Sequence, residues 1–518
     1  MAFTMTVSEV IAADTSGLLG KHPSWERVLL ADIAFVLNGA PFDSALFNTK
    51  EGMPLVRIRD VLAGKTITYY TGSYEDSYLV KQGDLLVGMD GDFNSGLWGT
   101  QTALLNQRVC KISPVDTLYD KRLLVFALPA YLAAINANTP SVTVKHLSSK
   151  TIGEIELPLP PRNEQTRIVA KLEELLSELD AGVAELKTAQ KKLAQYRQSL
   201  LKAAVEGALT AEWRTQNPPA ETGAQLLERI LTERRARWEA KQLAKFQEQG
   251  KAPPKDWQKK YPEPVKPDTS SLPELPEGWV WASLDQLVSE SSYGTSVKCS
   301  YESNGTPVLR IPNVSGGRLD LRDMKFSVED LILDQTDHLA VGDVLVIRTN
   351  GSVGLVGRAA AVVADLPSPH YFASYLLRLR STEVTCVHRW ILAVLSSSSG
   401  RRWIEARAAS SAGQHNISLS TLLSMPMPMP PLAEQSYVLN KIQDAEDSIR
   451  QQEASIELSL KQSAAQRQNI LRAAFSGQLV PQDPNDEPAS VLLERIRAER
   501  ASQGMVKKGR GHKTKEII

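Results

Sequence analysis

Cysteine is scarce in this 518-residue sequence: Cys110, Cys299 and Cys386 stand alone and are odd in number. They offer neither the pairing of a disulfide framework nor the spacing of a zinc site, which points to a reducing compartment. Net charge is absent as well, with 59 basic residues balancing 59 acidic ones. Such a chain cannot hold nucleic acid by bulk charge, so any binding of that kind must come from local patches. The seven histidines are scattered without ligand spacing, and only His415 stands out, in a polar loop. Long apolar runs are also missing. The longest, residues 123–135, is broken by Pro129 and is too short to span a bilayer. No basic residue precedes Lys21, so no signal peptide is visible and a cytoplasmic location is expected.

Catalytic signatures are lacking too. The one Gly-Lys-Thr, at residues 64–66, has Arg59 where a P-loop requires its first glycine. Asn217-Pro218-Pro219 begins the pattern of a DNA amino-methyltransferase, but Ala220 occupies the place of the aromatic ring that stacks on a flipped base. That segment follows a helix rather than a strand, and a linker turn explains it.

What the sequence does contain is itself, twice. Residues 157–165, LPLPPRNEQ, return as 427–435, MPMPPLAEQ, and residues 197–207, RQSLLKAAVEG, return as 467–477, RQNILRAAFSG, at a fixed offset of 270. Between these blocks run Leu172, Leu179, Leu186, Leu193 and Leu200, whose images are Ile442, Ile449, Ile456, Ser463 and Ile470. An apolar residue every seventh position over five heptads predicts a long helix with one seam, suited to an antiparallel coiled coil with its own copy. Each helix enters through Pro-Pro and Glu164 or Glu434 and stops at Gly207 or Gly477. From 163 to 206 it would span roughly 65 Å, too long to hide in a compact domain. Gly182, Gln452 and Ser463 weaken the seam locally. A third block, LLERI, occurs at 226–230 and at 492–496, an offset of 266.

The segments before the helices repeat more faintly. Trp25, Leu30 and Ile33 align with Trp279, Leu284 and Leu287; residues 52–61 align with 305–314; Gly83-Asp84 aligns with Gly342-Asp343. The offset drifts between 253 and 259, as expected where insertions fall between strands of alternating β-branched character. The expected fold class is α+β, with two mainly β domains carrying short helices, alternating with the two long helices in a pseudo-twofold repeat. The expected boundaries are a first domain at 1–156, a first spacer helix at 157–217, a linker at 218–276 with a charged, solvated helix at 234–249 and a Pro- and Lys-rich stretch at 250–276, a second domain at 277–424, a second spacer helix at 425–500, and a basic disordered tail at 501–518.

Two domains alternating with two like helices, each opened by Pro-Pro-x-x-Glu-Gln and closed by Ala-Ala-x-x-Gly-x-Leu, resemble the specificity subunits of Type I restriction-modification systems. The resemblance covers nearly the whole chain. It implies a subunit without catalysis of its own, which reads a bipartite double-stranded DNA sequence through two target recognition domains. It also implies helices that set the gap and dock two modification subunits and, through them, two restriction subunits. No cofactor would be bound by this chain, because S-adenosylmethionine, ATP and Mg belong to those partners, and no membrane is involved. A coiled-coil scaffold with protein-binding heads is the competing reading, and the divergence of the two heads argues for two-part sequence reading instead.

DNA contacts are expected where polar side chains ride on Gly-permitted loops between apolar strands. In the second domain these are Tyr293, Thr295, Lys298, Arg310, Arg348, Asn350, Ser352, Arg358, Gln414, His415 and Asn416. In the first they are Asn38, Ser44, Arg57, Asp90, Asn94, Trp98, Lys145 and His146. The first domain lacks the glycine-bearing loop of residues 410–417, having TPSVTVKH at 139–146 instead.

Overall fold

The computed structural model describes residues 5–99, 101–140, 145–331, 337–381, 387–411 and 413–509, with side chains up to Ala501. The chain divides into two compact units: residues 1–187 with 457–518, and residues 188–456. Two helices of 44 residues each, Arg162–Val205 and Leu432–Phe475, supply a part to both units.

In the second unit the strand Val280–Ser283 pairs antiparallel with Pro426–Met429, so the chain enters and leaves the domain side by side. A four-stranded antiparallel sheet follows, in the order Val288–Tyr293, Leu376–Ser381, Asp343–Ile347, Ala359–Ala361. A second four-stranded sheet contains the parallel pair Pro307–Leu309 and Tyr371–Phe372. Asp343–Ile347 is buried at every position, as its run of apolar residues requires of a central strand. The helix Val387–Ser396 covers this sheet with Trp390, whose indole donates to the Pro428 carbonyl at 2.7 Å.

The first unit repeats this plan. Glu26–Leu29 pairs with Glu156–Leu159, and the four-stranded sheet runs Ala34–Asn38, Val109–Pro114, Leu85–Gly88, Asn94–Leu97. The helix Lys121–Ala137 continues through Pro129, which the sequence suggested as a break. Ahead of it Tyr119 donates to the Pro158 carbonyl at 3.2 Å, doing for the first domain what Trp390 does for the second. Burial in this core pushes the Cys110 thiol up to about 12, so it stays protonated and inert.

The faint repeats are structural devices. Asp60 and Asn313, both buried, accept the backbone N–H of Arg57 and Arg310 at 2.9 and 2.8 Å and close a turn after a core strand. Gly83 and Gly342 hold φ of 86° and 94°, and the Asp that follows each accepts a backbone N–H three residues back. Asp343 also takes a bidentate bond from Arg380, at 2.8 Å for each oxygen.

The opening motif of each long helix is a lock. Glu164 and Glu434 are 1% exposed, and each accepts an indole N–H from the start of its own domain, Trp25 at 3.0 Å and Trp279 at 2.8 Å. Gln165 and Gln435, fully buried, donate back to the Pro160 and Pro430 carbonyls. The remaining valences of each Glu are filled by the segment that follows the other long helix: Gln482 donates to Glu164, whereas Thr210 and Arg214 donate to Glu434 at 2.6 and 2.8 Å. Gly207 and Gly477, both at φ 73°, end the helices and turn the chain into those segments.

All ten seam positions are buried or half-buried. In the first unit Leu172 and Leu176 share a core with Ile470, Ala474 and Phe475, and Arg467 pairs with Asp180 at 2.6 Å. In the second, Leu201 and Val205 share a core with Val438 and Leu439, and Arg197 bonds both Glu446 and Glu453 at 2.9 and 3.1 Å. Partners early on one helix meet partners late on the other, so the helices run antiparallel within each unit.

The third repeated block anchors a further helix in each unit. Leu226 and Ile230 of helix Gly223–Glu248 are buried in the second core, and Leu492 and Ile496 of helix Ala489–Gly509 in the first. The helix expected at 234–249 is thus the later part of a longer one that begins packed against the core. The expected disordered tail is also corrected in part, because residues 501–509 continue the last helix; 510–518 lie outside the described residues.

Candidate nucleic-acid interface

Beyond the buried strand Asp343–Ile347 the second unit builds a polar ribbon. Thr349–Asn350 pairs with Gln414–Asn416, which pairs with Ala409–Ser411. The buried Ile417 pins its base by donating its N–H to the Arg348 carbonyl at 2.9 Å, and Gly413, at φ 77°, makes the turn before Gln414. Arg348 lies 4.8 Å over the ring of Tyr293, which is 46% exposed, and its Nε donates to Asn416 Oδ1 at 3.3 Å. Thr349 donates to the same oxygen at 2.8 Å. Asn350 Oδ1 accepts the Ser352 N–H at 2.9 Å, while Gln414 projects into solvent and His415 is half-buried. A guanidinium stacked on a tyrosine and oriented by an amide is preorganised for bidentate donation to a guanine edge or a phosphate. An exposed glutamine beside it suits the N6/N7 edge of adenine.

The first unit uses the same backbone place with other chemistry. Leu147, fully buried like Ile417, donates to the Met89 carbonyl at 2.7 Å, and Asp90 bridges His146. His146 and Leu147 therefore stand 270 residues before Asn416 and Ile417, and the offset of the helices already holds here. Asp90 Oδ1 meets His146 Nδ1 at 2.5 Å and Oδ2 meets Arg108 Nε at 3.4 Å. Arg108 is the one described non-glycine residue with positive φ, 78°.

Several expected contacts are placed elsewhere. Trp98 is corrected outright: it is 1% exposed in the domain core, and its indole donates to the Gln101 carbonyl at 2.7 Å. An aromatic residue after a Gly-rich loop reads the same whether it faces inward or outward. Lys145 caps the helix Lys121–Ala137, its ammonium bound to the Asn136 carbonyl and side-chain oxygen at 2.6 and 3.0 Å. Arg310 pairs with Asp323 at 3.1 Å and stacks on Tyr301. Thr295 accepts the Val297 N–H, and Arg358, though exposed, bonds the Gly354 carbonyl at 3.1 Å. Asn38 donates to Ser149, Asn94 is half-buried on its strand, and Ser44, Arg57 and Lys298 are exposed. Residues 141–144 and Ala412, within two of the expected loops, lie outside the described residues.

Sequence reasoning missed three residues of these sites. Thr349 was inside an expected loop but not singled out. Arg108 comes from a turn between strands, and only its position after Asn106-Gln107 hinted at that. Tyr375, 56% exposed, gives its carbonyl to the Arg348 N–H at 2.9 Å, and no motif marks it.

A polar ribbon in one unit and an Asp90–His146 pairing at the equivalent place in the other put two surface sites of different composition on one repeated scaffold. The sequence profile of the Type I restriction modification DNA specificity domain matches residues 23–188. The chain is 33% identical to the Type I restriction enzyme EcoBI specificity subunit of Escherichia coli, over 98% of this chain and 99% of that one. It is 26% identical to the EcoKI specificity subunit of E. coli strain K12, over 73% and 71% of the two chains. The chain belongs to the Type I restriction enzyme specificity subunits. Its fold resembles a chain from a structure of a type I R-M system described for complex assembly and conformational transition, with TM-score 0.57 and 17% identity over 88% of this chain and 98% of that one. Among the described residues no helix is long and apolar enough to cross a membrane.

Proposed function

We propose that this chain is the non-catalytic reader of a bipartite double-stranded DNA target, each domain reading one half. The observation that carries this is one repeated backbone pairing with different side chains: Thr349 faces Asn416 in one domain, beside Arg348, and Asp90 faces His146 in the other, beside Arg108. An arginine–amide pair suits guanine or phosphate, whereas a carboxylate can accept from a cytosine amino group. In this reading the antiparallel helices set the gap between half-sites and dock two modification subunits, and two restriction subunits join through those. S-adenosylmethionine, ATP and Mg act on the partners, in the cytoplasm.

Changing Arg348 and Asn350 together to Ala is expected to weaken specific DNA binding by the assembled methyltransferase at least tenfold, at about 1–3 kcal/mol for each good base contact. Subunit assembly should persist, because Arg348 and Asn350 lie on the polar ribbon and not among the residues of the helix seam. Loss of assembly with unchanged DNA binding would reverse the division of labour between heads and helices.

A further inference from the structure

Positive charge in this net-neutral chain is concentrated on an arm of the second unit. Between Arg234 and Lys260 there are nine basic residues and three acidic ones. The arm is built rather than loose. Trp238 stacks on Trp257 at 5.8 Å and meets Tyr261 edge-on, Phe246 meets Trp257, and Arg234 and Arg235 lie over the Tyr261 ring. These contacts fold residues 257–261 back onto the helix Gly223–Glu248.

Its direction is fixed by its contacts. Gly223 donates to the Gly278 carbonyl at the entrance of the domain, Arg234 donates to the Val288 carbonyl at 3.0 Å, and Lys241 pairs with Glu290 at 2.6 Å. The helix thus advances along the strand Val288–Tyr293 toward the tyrosine under Arg348. Glu290 to Tyr293 is about 10 Å of strand, and Lys241 to Glu248 is about 10 Å of helix. The end of the arm therefore reaches the level of the ribbon. Lys245, Lys251 and Lys255 are exposed toward that end, and Lys260 is exposed nearer the base of the arm, where Tyr261 lies against Arg234; none of the four has an ion pair among the described residues. Lys241 and Lys259, by contrast, are paired with Glu290 and Asp256.

We infer that this arm is a sequence-independent clamp on the DNA backbone, its free lysines engaging phosphates that flank the half-site read by the Arg348 ribbon. The inference rests on the proposal that the ribbon reads DNA. Lysines on an aromatic-braced arm supply point charges without the planar hydrogen-bond pattern that base reading needs. Neutralising phosphates releases counterions, so the contribution is visible in the salt dependence of binding.

The test is K245Q/K251Q/K255Q/K260Q in the full chain assembled with its modification subunits, titrated with target and non-target duplexes at several salt concentrations. The plot of log affinity against log salt should become shallower by about two to four, at roughly 0.9 per phosphate contact. Affinity for both duplexes should fall about tenfold or more at low salt, with the target-to-non-target ratio unchanged. An unchanged slope and affinity would overturn the clamp. Loss of the modification subunits would also overturn it, and would make the arm a protein-docking surface. Failure of the reading itself would show separately, as a wild-type complex that does not prefer its target over the non-target duplex.

Discussion

At the scale of single residues, the two lock glutamates occupy the same place in different electrostatic settings. Glu434 faces the Arg214 guanidinium, itself only 18% exposed, at 2.8 Å. Glu164 has the neutral donors Trp25 and Gln482, and burial raises its carboxyl above the ordinary range. Glu434→Gln should therefore lower the stability of the second unit by roughly 3 kcal/mol, since it strands a buried cation. Glu164→Gln keeps an oxygen for the indole and should cost far less. The pH dependence follows from linkage: with the folded value above the unfolded one, Glu164's contribution is fully present below its ordinary carboxyl value and is lost as pH rises through the raised one. Wild type should thus gain on Glu164→Gln as pH falls toward the ordinary carboxyl range, as read by denaturation midpoints across that range. Equal losses for the two variants at neutral pH would contradict this picture. The motif around these residues was plain in the sequence, but its meaning was not. Pro-Pro-x-x-Glu-Gln reads as a helix start, whereas the buried bonds to Trp25 and Trp279 join residues 139 and 155 positions apart, which no local pattern encodes.

At the scale of elements, the long helices were legible because a period of seven kept over five heptads survives any change of detail. The run expected at 163–206 is a helix from 162 to 205, and the second helix runs from 432 to 475, each inside a longer expected spacer of 157–217 or 425–500. The polar ribbon was legible only in part, since Gly413 and its neighbours marked a loop while the partner strand Thr349–Asn350 comes from 65 residues earlier and pairs through two positions. Trp98 shows the limit most clearly: an isolated aromatic after a Gly-rich loop carries no period from which to read its face. Within the seam, Arg197 takes a place the heptads would give to an apolar residue and spends it on two glutamates seven residues apart. Such a pair selects one register rather than adding much stability. Changing Arg197 to Met should leave helix content intact but permit cross-links between residues one heptad out of register; cross-linking confined to the original pairs would refute a register role. Gly182 is the opposite case, a half-buried helical glycine beside which a methyl group would meet nothing within 4 Å. Gly182→Ala should raise stability by about 1 kcal/mol, and a lower denaturation midpoint would show that the helix needs freedom there.

At the scale of the molecule, the repeat closes on itself. The segment after the first long helix fills the Glu434 lock and packs Leu226 and Ile230 into the second domain, while the segment after the second fills the Glu164 lock and packs Leu492 and Ile496 into the first. Each unit therefore contains its domain, the start of one helix and the end of the other, and it carries its own core and its own polar site. That construction should make the two proposed reading surfaces separable, because among the described residues the bonds that order Arg348 and those that order Asp90 each stay within one unit. Replacing residues 26–157 with the corresponding segment of another specificity subunit should alter one half of the methylated sequence and leave the other half and the gap unchanged. Trp25, Pro158 and everything beyond stay in place, so the lock at Glu164 and the helix seam are preserved. Mapping methylated bases in DNA from cells carrying the exchanged subunit checks this directly. A change in both halves would mean that the two ribbons read the target jointly, and a change in gap length alone would assign the exchanged segment to spacing rather than to recognition.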